Sequence, residues 1–246
     1  MEIDIKGSVV DSETGQMFNW FGMQNTNPKD VQNALNKANG EDIELNISSG
    51  GGDVASAAEI YTMLQQYPGK ITGTIQGIAA SAASVISEAC DHLVISPAAS
   101  MMIHRASNTF SGNTEDMGHN SVILSKVDQT ICSVYQAKTG KSRDEILNLM
   151  KDETWMTAEE AVDQGFADEV LNVSDNAPQV INSFEEIPVK AKVDEFMKML
   201  MNSVKKNNEN KSDNTQSSNQ DSITALFNKK LSLSLIHISE PTRLGM

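Results

Sequence analysis

Three residue types fall in the order that a hydrolase would use. Ser81 stands in the segment GIAASAASVISEAC, which is small and nearly free of charge. It follows a strand-like run, ITGTIQG, and opens a helix-like one. Backbone N–H groups at a helix start lack intrahelical acceptors, and the macrodipole favours negative charge there. A serine so placed could attack a carbonyl while the N–H of Ala82 meets the developing oxyanion. Gly50, Gly51 and Gly52 follow the strand expected beside the one that leads to Ser81. Glycine lets a backbone approach a ligand closely and point an N–H inward. The triplet could supply the second oxyanion donor and pair with an extended substrate. No Gly-Lys-Ser/Thr follows it and GxGxxG is absent, which excludes a nucleotide loop. His104 ends the apolar run SMMIH, at the sheet edge where sites collect in open α/β folds. A neutral imidazole there can take the serine proton and return it to a leaving amine. Taken singly, a serine among alanines is a packing device, a glycine triplet a turn, and a histidine after a strand structural. The conjunction in chain order points to nucleophilic hydrolysis.

These residues need elements to position them. Ile3 to Val10 reads as a strand with Ile3, Ile5 and Val9 alternating against polar neighbours. Asn27-Pro28 opens a helix through Asn39, stopped by Gly40. Ile43 to Ile47 is a short strand, Ser48 to Asp53 a glycine loop, and Ala55 to Tyr67 a helix. Ile71 to Gln76 is the next strand, followed by a small-residue helix from Ala82 to Cys90. His92 to Ile95 and Met101 to His104 read as buried strands. This βαβαβ rhythm predicts an α/β fold with a mainly parallel sheet and right-handed crossovers. Thr114 to Lys138 reads as one long helix, with Val122, Ile123, Val127, Ile131, Val134 and Tyr135 at helical spacing. Two short helices follow, each with a capping box: Ser142 with Glu145, and Thr157 with Glu160.

Composition bounds the function. The chain has 246 residues with 39% hydrophobic content, enough for one sizeable core. A formal net charge of −14 argues against nucleic acid and against an anionic membrane surface. Cys90 and Cys132 form no CxxC pair and do not cluster with the four histidines, so neither a zinc site nor a disulfide framework is expected. No cofactor and no metal are expected. The N-terminus shows no signal sequence, and no segment is long and apolar enough to span a bilayer, so the expected location is the cytoplasm. Beyond Leu171 the composition changes. Residues 172–204 read as a linker with a short helix, and residues 205–246 as a flexible polar tail. The last stretch, LSLSLIHISEPTRLGM, is similar to translated adapter or vector sequence and carries no functional weight; it implies that the natural C-terminus lies elsewhere.

Four segments carry a resemblance to the Clp protease proteolytic subunit (ClpP) family. GIAASAAS resembles its nucleophile segment, ISSGGGDVASAAEIY its glycine loop and following helix, MMIHRASNTFSGN its histidine segment, and WMTAEEAVDQGFADEV its C-terminal signature. The resemblance covers about residues 1–171. It implies a ClpP/crotonase-like fold of repeated ββα/βαβ units and a serine endopeptidase with a Ser-His-acid triad. It further implies Ser81 as nucleophile, His104 as general base, and Gly52 and Ala82 as oxyanion-hole donors. Alignment without a gap puts Glu153 at the acid position, with Asp152 one residue before it as the alternative. For either carboxylate, a solvated charge at a helix end is the plainer reading. The long helix resembles the handle through which the family's rings pack, which implies a homo-oligomeric ring, although an apolar stripe on a helix is ordinarily core.

The chain departs from ATPase-dependent members in showing no N-terminal pore-gating segment and in carrying a long polar tail. Both features resemble the ClpP-related head maturation proteases of tailed phages and prophages, which process capsid and scaffold proteins. Three other readings compete. A housekeeping subunit would work with a Clp ATPase. A crotonase-like enzyme would hold an acyl-CoA thioester enolate on paired N–H donors without needing Ser81 or His104. A non-catalytic assembly factor would have a broken triad.

Overall fold

The computed structural model describes residues 1–172, and the sequence expectations for the linker and tail lie outside the described residues. The polypeptide forms β1 (Glu2–Val9), α1 (Ser12–Trp20), β2 (Asn25–Thr26), α2 (Pro28–Ala38), β3 (Ile43–Gly52), α3 (Val54–Gln65), β4 (Ile71–Ala80) and α4 (Ala82–Ser87). It continues through β5 (His92–Ile95), β6 (Ser100–Ile103), α5 (Thr114–Thr139), α6 (Arg143–Lys151), β7 (Thr154–Met156), α7 (Ala158–Asp163) and β8 (Glu169–Val170). The strands form one sheet in the order β2-β1-β3-β4-β5-β8, with β6 pairing β4 and β7. Every pairing is parallel except that of β6 with β7. This is the α/β architecture with a mainly parallel sheet that the alternating elements predict.

Strand alternation decides which face packs. Along β1, Ile3, Ile5 and Val9 are buried while Glu2 and Asp4 are exposed. On β3, Ile43, Leu45 and Ile47 are buried, and Glu44 between them is exposed. Period-2 patterning of this kind gives one apolar face. That face joins Leu35, Ile60, Leu64, Ile86 and Tyr135 from α2, α3, α4 and α5 in a single core. The long helix begins at a capping box, with Asn113 accepting from the Asp116 N–H and the Asp116 carboxylate accepting in return. Gly140, in the left-handed region, ends it. Both expected capping boxes are formed, at Ser142 and at Thr157.

Several elements differ from the sequence reading. The glycine segment is no free loop: β3 runs on through Gly52, paired with β1 at Ser8↔Gly51 and Val9↔Gly52. β4 also runs past Gln76 to Ala80, because its second half finds a new partner. Thr72–Ile75 pair with β5, whereas Ile78–Ala80 pair with β6. The helix after Ser81 is shorter than expected and stops at Ser87. Helix α1 and strands β2, β7 and β8 do not emerge from the sequence pattern.

Candidate active site

Strand β4 ends at Ala80 and α4 starts at Ala82, so Ser81 alone makes the turn. It has φ 55° and ψ −122°. Few residues with a side chain enter this region, at a cost on the order of 1–3 kcal/mol. The surroundings hold it there. The Ser81 N–H donates to the Met102 carbonyl at 2.9 Å, a β6 contact. The Ser81 carbonyl accepts from the Ser84 and Val85 N–H groups at 3.0 and 3.3 Å. It accepts a third bond from the Ser84 hydroxyl at 2.6 Å. The Ser81 hydroxyl does not cap the helix. Its Oγ lies 2.7 Å from His104 Nε2. With Nε2 as the unprotonated nitrogen of a neutral imidazole, the hydroxyl donates to it, which is the arrangement that activates a serine.

His104 follows β6, whose antiparallel partner is β7 with register Ile103↔Thr154. The pairing ends there: the Arg105 N–H donates to the Met150 carbonyl at 3.1 Å, and Glu153 immediately precedes β7. Glu153 has φ 50° and is exposed, and Asp152 is the exposed C-cap of α6. Among the described residues neither carboxylate hydrogen-bonds to His104. Sequence reasoning did not find Asp128, a buried α5 residue whose Oδ1 accepts from the Ala106 N–H at 2.8 Å. It anchors the segment leaving His104, and Arg105 Nε lies 3.9 Å from its Oδ2. An acid three residues before Ile131 and seven before Tyr135, on the apolar stripe of the long helix, was the signal that could have marked it.

The glycines meet the serine turn from the β3 side. Gly51 has φ 91°, and a Cβ built there would lie 2.5 Å from the Ala80 carbonyl oxygen, 2.8 Å from the Ala82 nitrogen and 2.9 Å from Ser81 Cβ. Only glycine fits between β3 and the Ser81 turn. Gly52, at φ 151°, abuts the Val9 carbonyl oxygen so closely that a Cβ has no room. The Asp53 N–H donates to that same oxygen at 2.8 Å. The structure thus brings Ser81, His104, the Ala82 N–H and the glycine backbone together. A small cleft over them is lined by Val54, Ser81, Ala82, Val85, His104 and Ala106, with Ile131 and Tyr135 from α5. A larger open hollow of about 450 Å³ between α2 and α3 carries no serine, cysteine, histidine or carboxylate on its walls.

Burial raises the pKa of titratable groups in the core around α4. Burial pushes the Cys90 thiol well above its ordinary range, so it offers no competing thiolate. Burial likewise raises the Tyr135 hydroxyl. Glu88, just after α4, is 4% exposed, and neither carboxyl oxygen has a hydrogen-bond partner among the described residues. Burial raises its pKa well above the carboxylate range, opposed by the Lys138 charge and reinforced by Asp168. Among the described residues no group of His, Cys, Asp and Glu converges as metal ligands.

The chain has known relatives. Residues 30–174 match the Clp protease family profile. ATP-dependent Clp protease proteolytic subunit 1 of Chlamydia abortus is 32% identical over 136 residues, covering 54% of this chain and 71% of the relative. The protein of the same name from Chlamydia muridarum is 31% identical over 136 residues, with the same coverage. Among solved structures, a point mutant of ClpP1 from Listeria monocytogenes superposes with a TM-score of 0.58 at 20% identity, over 71% of this chain and 92% of that one, a likeness of fold. With more than half of its residues matched by the family profile and with relatives above 30% identity, this chain belongs to the Clp protease family.

Proposed function

We propose that the protein is a serine endopeptidase with Ser81 as nucleophile. The observation that carries this is the 2.7 Å Ser81 Oγ to His104 Nε2 contact on a strained turn. His104 takes the Ser81 proton as Oγ attacks the scissile carbonyl. The oxyanion so formed accepts from the N–H groups of Gly52 and Ala82. His104 then protonates the leaving amine, the acyl group remains on Ser81 as an ester, and water activated by the same imidazole hydrolyses it. Glu153, which immediately precedes β7, is the carboxylate assigned to orient the ring through Nδ1–H, with Asp152 as the alternative.

The substrate class we assign is capsid and scaffold protein during phage prohead maturation, a reading that rests on the resemblance to head maturation proteases. A second reading, a housekeeping subunit fed by a Clp ATPase, is favoured by the names of the Chlamydia relatives. The non-catalytic and thioester readings lose ground to the Ser81–His104 contact, which neither requires. For the assembly we propose a homo-oligomeric ring built on α5, whose first half exposes Met117, Val122 and Ile123.

Incubation with an unfolded protein such as casein tests the activity. Cleavage by the wild type, absent in Ser81→Ala, is the expected result; equal cleavage by both would reject the assignment. Addition of a Clp ATPase separates the two roles. Stimulated degradation of a folded substrate would favour the housekeeping reading, whereas limited cleavage of a scaffold protein without ATPase would favour maturation.

A further inference from the structure

A pair of buried hydroxyls stands behind the nucleophile turn and takes no part in the steps above. Ser84 is fully buried on α4 and Tyr135 is 1% exposed on α5. Their oxygens lie 2.8 Å apart. The single Ser84 hydroxyl proton lies on the Ser81 carbonyl at 2.6 Å. The Tyr135 hydroxyl must therefore donate to Ser84 Oγ, which gives a directed chain from Tyr135 to Ser84 to the Ser81 carbonyl. That carbonyl already accepts two backbone N–H groups. A core needs no third donor there, and apolar residues of similar shape would avoid burying two hydroxyls.

The Ser81 carbonyl and the Ala82 N–H belong to one peptide unit. The unit is planar, and its C=O and N–H point in opposite directions. Fixing the oxygen with three donors therefore fixes the direction of the Ala82 N–H. We propose that Tyr135, acting through Ser84, is a positioning residue: the hydroxyl chain holds the Ser81–Ala82 peptide plane so that the Ala82 N–H stays aimed at the oxyanion. The proposal rests on the reading of Ser81 as the nucleophile. Tyr135 is also locked from the far side, its ring packed edge-on against Phe166 with centroids 5.6 Å apart. The aim of the N–H is thereby tied to the packing of α5 and of the segment after α7.

The test compares Tyr135→Phe, Ser84→Ala and the double variant with the wild type. Tyr135→Phe removes the hydroxyl and keeps the packed ring. Steady-state hydrolysis of a peptide ester well below the melting temperature is expected to show kcat lowered about three- to tenfold with KM unchanged. The double variant should be no slower than Ser84→Ala, because both substitutions cut one chain. A purely structural role would lower the melting temperature and leave kcat alone. Hydrogen exchange of the Ser84 and Val85 amides, which donate to the Ser81 carbonyl, gives a readout that does not need activity; it should quicken in Tyr135→Phe. An active wild type with kcat unchanged in both single variants overturns the proposal and leaves the peptidase reading intact. An inactive wild type whose amides still respond removes the peptidase reading and keeps the clamp on the peptide plane. An inactive wild type with unchanged exchange removes both.

Discussion

Ser81 and His104 could be singled out because their cues are local: a small-residue run after a strand, and a histidine where an apolar strand ends. The residues that hold them are not local. Ser84 meets Tyr135 across 51 positions of chain, and Asp128 reaches Ala106 across 22. Such pairings exist only once the helices have packed. The acid assignment came only from the resemblance, since Glu153 and Asp152 have the look of ordinary solvated charges, and both are exposed. Glu153→Gln is expected to lower peptidase activity on the order of a hundredfold or more, with Asp152→Asn near wild type; the reverse order would move the assignment to Asp152. Glu88 gives a prediction about stability. Its folded pKa is raised above the unfolded value, so the native state holds the extra proton. That contribution is complete below the unfolded pKa and is lost as pH rises towards the folded pKa. The slope approaches about 1.4 kcal/mol per pH unit inside that window. Glu88→Gln should flatten this dependence and raise the melting temperature at neutral pH. An unchanged slope in urea melts at several pH values would show that Glu88 ionises freely.

At the scale of elements, the strands that alternate clearly and the long helix follow the sequence closely, because burial of one face enforces their periods. The glycine segment does not. Its composition reads as a loop, yet the ladder with β1 carries it as strand through Gly52. The short strands are equally invisible: β2, β7 and β8 exist through their ladder partners and have two or three residues each. Helix α1 lacks a clear apolar stripe and starts on the Asp11 carboxylate, which accepts from the Glu13 and Thr14 N–H groups. The close fit of β3 to α4 yields a test. Gly51→Ala forces a Cβ against the Ala80 carbonyl and the Ala82 nitrogen at φ 91°. The strain, on the order of 1–3 kcal/mol, should part β3 from the turn. Circular dichroism is expected to show a folded protein, and a peptide assay a loss of most activity. Full activity would mean that the glycine backbone contributes no donor.

At the scale of the molecule, α5 divides in two. Its second half supplies Ile131, Cys132 and Tyr135 to the core, while Val122 and Ile123 in the first half are 54% and 48% exposed. The sequence could not separate these halves, since both carry the same helical spacing of apolar residues. Apolar side chains left on a helix face fit an interface between copies of the chain. Mass photometry at micromolar concentration should find an assembly well above 26.7 kDa, and the double variant Val122→Asp, Ile123→Asp should shift it towards the monomer. A wild-type monomer would sink the ring.

The central claim is that Ser81 is an activated nucleophile, and one measurement addresses it most directly: reaction with a fluorophosphonate probe, with the adduct located by peptide mass spectrometry. The account expects one phosphonyl group per chain on Ser81, absent from Ser81→Ala and strongly slowed in His104→Ala. A correctly folded, assembled protein that takes up no probe, or takes it up elsewhere with Ser81 untouched, would contradict it.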